Sequence, residues 1–98
     1  MLNYLLDLQF SPEQIHDINE KLEDNILMSL EISKNIVIDT LNYYKEIGIK
    51  DLHNLIINRP DLVLIKREDI EKTISKVTNK LFVNLVNNDI EDLILFGV

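Results

Sequence analysis

Residues 33–60, SKNIVIDTLNYYKEIGIKDLHNLIINRP, decide the fold class of this chain. Ile36, Val37, Thr40, Leu41, Tyr44 and Ile47 recur at helical spacing and lie on one stripe, which predicts a helix over about Ser33–Ile47. Gly48 then stands where a left-handed C-terminal cap belongs. A shorter helix follows from about Lys50 with Leu52, Leu55 and Ile56 inward, and Pro60 stops it because proline cannot supply the next N–H. Helix, glycine, helix, proline within 28 residues is the signature of an all-α chain.

The same grammar extends outward. Upstream, Ser11-Pro12-Glu13-Gln14 reads as a capping box with proline in the first helical turn, and Ile15, Ile18 and Leu22 mark the buried face behind it. Leu2, Leu5, Leu6 and Leu8 predict a short first helix ending near Gln9. Downstream, Ile70, Ile74, Val77, Leu81 and Leu85 predict the longest helix, over about Arg67–Asn84. A last short helix is expected over about Asp89–Phe96. Asn25–Ile32 and Leu62–Ile65 are short apolar runs that could pair as strands, but they fit buried turns better within a helical unit.

Composition agrees. The chain has 98 residues, 46% of them hydrophobic and 28% charged, and only two glycines and two prolines, so one domain spanning 1–98 with few turns is expected. There is no cysteine, which excludes disulfides, thiolate-bound zinc and a thiol nucleophile and fits a cytoplasmic protein. Met1–Phe10 is apolar, yet it contains Asp7 and lacks a basic start, so it makes a poor signal peptide. No run approaches the roughly 20 apolar residues of a membrane span. The net charge of −7 disfavours non-specific binding to phosphate backbones. That charge is uneven: residues 1–58 carry ten acids and four bases, and residues 59–98 seven acids and six bases.

A shift of 37 positions places Ile15 on Leu52, His16 on His53, Ile18 on Leu55, Asp24 on Asp61, Ile26 on Val63, Leu27 on Leu64 and Glu31 on Glu68. A third partial copy begins at Leu85, with Asn87-Asn88-Asp89-Ile90 set against Lys50-Asp51-Leu52. Such a period suggests a short stack of helical hairpins, each a helix, an apolar turn and a helix that buries its apolar face only against a neighbour. Tyr43–Ile65, YYKEIGIKDLHNLIINRPDLVLI, resembles the repeat of the mitochondrial transcription termination factor family. Gly48, Pro60, Leu62 and Leu64 fall on that repeat's apolar-glycine-apolar junction and Pro-x-Leu segment, whereas in the first copy Gln9 replaces the glycine and Glu23 the proline. The resemblance implies a right-curving helical solenoid that holds nucleic acid on a basic concave surface. Glu46-Ile47-Gly48-Ile49 also suggests a helix-hairpin-helix, but Glu46 takes the place of the second glycine that phosphate binding requires.

No catalytic constellation emerges. His16 and His53 share a register without a defined set of acids around them, and read best as solvent-facing helix residues. Glu23-Asp24, Asp69-Glu71 and Glu91-Asp92 lie near predicted helix starts, where acids suit the helix dipole. Phosphate loops, nucleophile elbows and ATP signatures are absent, so no cofactor, metal or small-molecule substrate is expected. Two sets of residues remain as candidate contacts. Lys72, Lys76 and Lys80 fall at four-residue intervals, with Lys66 and Arg67 upstream and Arg59 nearby, as a phosphate track or an ordinary solvated face. Either Tyr4, Leu93, Ile94 and Phe96 of the apolar first and last segments, together with Tyr43 and Tyr44, anchor an interface, or the two ends fold back into the core. The expected function is a non-catalytic module that binds a protein partner or itself. The alternatives are a nucleic-acid-binding repeat and an acidic regulator that occupies a partner's nucleic-acid groove.

Overall fold

In the computed structural model, which describes Met1–Val98, the Ser11 hydroxyl accepts from the Gln14 backbone N–H at 3.1 Å while Gln14 Oε1 accepts from the Ser11 N–H at 2.9 Å. That reciprocal box satisfies two otherwise orphaned donors and starts helix α1, Pro12–Lys21. Five further helices follow: α2 Asp24–Ile32, α3 Lys34–Ile47, α4 Leu52–Asn58, α5 Arg67–Ile74 and α6 Asn79–Asn88. Three 3-10 helices complete the chain, N-terminal (Asn3–Leu8), central (Pro60–Val63) and C-terminal (Ile90–Phe96). There is no strand, so the chain is all-α.

Helix α3 is the axis of the packing. Its Val37, Thr40, Leu41, Tyr43 and Tyr44 are all buried, and it meets the N-terminal 3-10 helix, α2, the central 3-10 helix and α5. The single polar side chain in this core, Thr40, donates its hydroxyl to the Ile65 carbonyl at 2.8 Å, so its burial leaves no orphan. One apolar cluster runs from Leu2 to Leu93 and takes residues from every helix. Its N-terminal part is pinned by polar contacts as well. The Leu2 N–H donates to Glu31, the Lys45 ammonium to the Leu8 carbonyl, and the Asn19 amide to the carbonyls of Met1 and Ile15.

Three junctions share one backbone solution. Gln9, Gly48 and Gly97 lie in the left-handed region, at φ of 70°, 106° and 76°. After each, the next residue's N–H reaches back five positions: Phe10 to Leu5, Ile49 to Tyr44 and Val98 to Leu93. This is the Schellman closure. Gln9 therefore holds the conformation that glycine holds at the other two junctions, at a steric cost that a β-carbon adds there.

Two expectations need correction. The run 25–32 is neither a strand nor a buried turn, because Leu27 and Leu30 face the core from a regular helix. The long helix over 67–84 is broken. Lys76 and Val77 donate to the Thr73 and Ile74 carbonyls in a tight turn, and the Thr78 hydroxyl then accepts from Leu81 N–H as the cap of α6. A continuous helix would keep Leu81 inward. The break turns Phe82 inward instead, fully buried with its ring 6.0 Å from that of Tyr44. Burying a phenylalanine is worth about 1.5–3 kcal/mol, and the Lys76 and Val77 bonds with the Thr78 cap replace part of the interrupted helix ladder.

The internal similarity also has a different register. The 37-residue shift superposes α1 on α4, but it then lays α2 across the central 3-10 helix. A shift of 30 does better and places Asn54–Val63 on Asn84–Leu93. Arg59 and Asp89, the residues between helix and 3-10 helix, have φ/ψ of −141°/66° and −146°/58°. Asn58 Nδ2 donates to the Asn54 carbonyl and side chain, and Asn88 does the same to Asn84. Asn87-Asn88-Asp89-Ile90 thus corresponds to Ile57–Pro60, not to the start of α4.

Candidate functional site

The basic residues do not form one track. Lys72 lies on α5, Lys76 in the turn and Lys80 on α6, so the break before α6 removes the shared helix face on which their spacing relied. Arg59 is a structural clasp: its guanidinium grips both Asp61 oxygens at 3.0 and 2.9 Å and donates to the Val98 carbonyl at 2.7 Å. Arg67 is engaged too, with Glu71 at 3.0 Å, Glu46 at 3.4 Å and the Tyr43 ring 5.0 Å below its guanidinium. The hydrogen bond to Glu71 raises its already high pKa. Lys66 and Arg67 open onto a surface groove of about 570 Å³ shared with Asn35, Ile36, Asp39, Glu68 and Glu71. The acids there offset the two cations, leaving a mixed-charge surface rather than a phosphate track. Lys66, Lys72, Lys76 and Lys80 are exposed and have no carboxylate within ion-pair distance.

The histidines part company. His16 is exposed beside Glu20 at 3.3 Å. His53, expected to face solvent, is instead half-buried between α4 and α1, with Nε2 2.7 Å from Asp17 Oδ2. Lys21 holds the other Asp17 oxygen at 3.1 Å, and this bond, aided by His53, keeps the Asp17 carboxyl below its ordinary range. The contact ties two helices 36 residues apart and has no third acid or histidine to complete a metal site.

The expected aromatic anchors mostly belong to the core. Tyr44 is fully buried and its hydroxyl donates to the Leu62 carbonyl; burial pushes its pKa up. Tyr43 and Leu93 are likewise buried, which removes all three from any outward contact. Tyr4 is half-buried and donates to the Leu30 carbonyl at 2.7 Å, and burial next to Glu31 pushes its hydroxyl up to about 12.

What does face outward is a run of three apolar residues at the end of the C-terminal 3-10 helix. Ile94, Leu95 and Phe96 are 74%, 76% and 46% exposed. Ile94 borders a depression of about 380 Å³ shared with Asn58, Arg59, Ile90 and Glu91. Comparison with protein-family models, curated proteins and solved structures returns no match. The exposed apolar run is contiguous in sequence, unlike exposed Met1, Leu6, Met28 and Ile32. Under the 30-residue shift Ile94 and Leu95 fall on Leu64 and Ile65, which are partly buried against the core, and Phe96 falls on exposed Lys66.

A second exposed apolar set escaped sequence reading. Ile32 is 79% exposed, and Met28, one turn earlier on α2, is half exposed. The four-residue spacing of this pair, opposite Leu27 and Leu30, was the available signal, but it is visible only once 25–32 is read as a helix. No helix of the chain is long and apolar enough to cross a membrane.

Proposed function

We propose that this chain is a non-catalytic helical interaction module that works through protein–protein contact, with Ile94, Leu95 and Phe96 at the contact. The observation that carries the reading is that three consecutive large apolar side chains stand in solvent, two of them at positions whose counterparts 30 residues earlier, Leu64 and Ile65, are partly buried. Scattered exposed apolar residues are ordinary on protein surfaces, whereas contiguous ones mark interaction sites. The helix–helix–3-10 order, seen in α3, α4 and the central 3-10 helix and again in α5, α6 and the C-terminal one, supports a short solenoid-like stack. The deciding experiment places a photo-crosslinking amino acid at position 95, or at exposed Asn42 as a control, in cells that express the chain. Protein adducts from position 95 and none from position 42 are expected. No adduct at position 95 refutes the reading.

The resemblance to the mitochondrial transcription termination factor repeat supports a second reading, binding of nucleic acid through Lys66, Lys72, Lys76 and Lys80. The specific observation in its favour is that these four lysines are exposed and unpaired. Fluorescence anisotropy with labelled duplex DNA, single-stranded DNA and RNA tests it. Salt-sensitive binding that falls in K72E/K76E supports it, and no binding at low salt removes it.

A further inference from the structure

Resting on the interaction reading above, we propose that the Ile94–Phe96 surface takes a cationic amphipathic segment of another protein, one that carries Lys or Arg beside an apolar face. The charge around this surface has one sign. From Leu81 to Val98 the chain holds three acids, Asp89, Glu91 and Asp92, and no Lys, Arg or His. Asp89 and Glu91 are exposed, Asp92 is half-buried, and none of the three has a cation within ion-pair distance. The cation beside Ile94 is Arg59, and its charge is balanced by Asp61 at 2.9 Å. Ile94 and Glu91 line the same depression of about 380 Å³, so an apolar anchor and a neighbouring cation of the partner find their counterparts in one place.

The acidic rim decides between classes of partner. It repels phosphate backbones and anionic lipid surfaces. A second C-terminal end would set the three acids against their own copies, and like-charge juxtaposition is costly at an interface. No other face of this chain combines cations with exposed apolar residues. Lys66, Lys72, Lys76 and Lys80 have no large apolar side chain exposed among them. Exposed Met1, Leu6, Met28 and Ile32 lie in segments 1–10 and 23–34, which hold Asp7, Glu23, Asp24 and Glu31 against Lys34 alone. What fits is a foreign segment that lays an apolar face on Ile94, Leu95 and Phe96 and sets its cations toward Asp89 and Glu91.

NMR titration of the full chain with three synthetic peptides of about 18 residues, five helical turns, tests this. One is an amphipathic Leu/Lys helix, one the same residues scrambled so that no apolar face forms, and one an amphipathic Leu/Glu helix. The Leu/Lys helix should shift the amides of Glu91–Phe96, and the other two should bind at least about tenfold more weakly. L95E should weaken the Leu/Lys helix about tenfold even though it adds a negative charge, and D89K/E91K should do the same by removing the rim. Arg59 holds the backbone conformation of Asp89, so a lysine at 89 is expected to fold, and circular dichroism checks both variants. Equal or tighter binding to L95E overturns the proposal, because charge alone then accounts for the attraction. Equal binding of the Leu/Glu helix, or shifts that map away from Glu91–Phe96, overturns it too. A protein adduct from position 95 combined with no binding of the Leu/Lys helix overturns it and leaves the interaction reading standing.

Discussion

Replacing Tyr44 with phenylalanine removes one oxygen from the centre of the fold and leaves the ring where it was. The hydroxyl donates to the Leu62 carbonyl, which links α3 to the central 3-10 helix, and both residues are buried. With the donor gone, that carbonyl has no water to turn to. An unsatisfied buried acceptor costs about 1–3 kcal/mol. The aromatic contact with Phe82 at 6.0 Å survives in Y44F, so the much larger loss from truncating the ring does not arise. For a domain of this size, each kcal/mol corresponds to about 4–8 °C, so a thermal midpoint lower by about 4–24 °C is expected.

A pH arm sharpens the test. Burial raises the folded-state pKa of Tyr44 above its ordinary value. The neutral phenol therefore stabilises the fold fully below the unfolded value, about 10, and that contribution is lost as pH rises beyond it. The gap between wild type and Y44F in urea unfolding should be full at pH 7 and narrower near pH 11. A gap below about 0.5 kcal/mol at pH 7, or one that widens with alkali, would refute the assignment of Tyr44 to a satisfied core hydrogen bond.

Other parts of the fold make separate predictions. S11A should cost about 1 kcal/mol by chemical denaturation, whereas S33A, whose side chain caps nothing, should cost only a few tenths. G48A should destabilise by about 1–2 kcal/mol, since φ is 106° there, while Q9G should be neutral or stabilising because it relieves the same left-handed conformation. The Asp17 carboxyl, followed by NMR, should titrate below the ordinary range and move up toward it in K21M, since Lys21 is the main cause of the shift. Because that pKa is depressed, any stability Asp17 contributes is present above the unfolded value near 3.9 and lost as pH falls through the folded one. An Asp17 titration unchanged in K21M would contradict the geometry.

The sequence by itself determined the all-α class and most of the punctuation. Ser11 and Gln14, Pro12, Gly48 and Pro60 act through the backbone within a few residues, so their effects are local and legible. The helical faces of α1, α3 and α4 were legible for the same reason, since a 3.6-residue period needs no partner to be seen. Tertiary structure decided the rest. Whether 74 and 79 belong to one helix depended on Phe82 finding Tyr44, a contact 38 positions away that no local pattern encodes. Whether 25–32 is a turn or a helix depended on a core surface for Leu27 and Leu30. The candidate contacts suffered most, because an exposed apolar residue and a buried one look alike in sequence. Tyr43, Tyr44 and Leu93 went inward and Ile94, Leu95 and Phe96 outward, on which sides of their helices had neighbours to pack against.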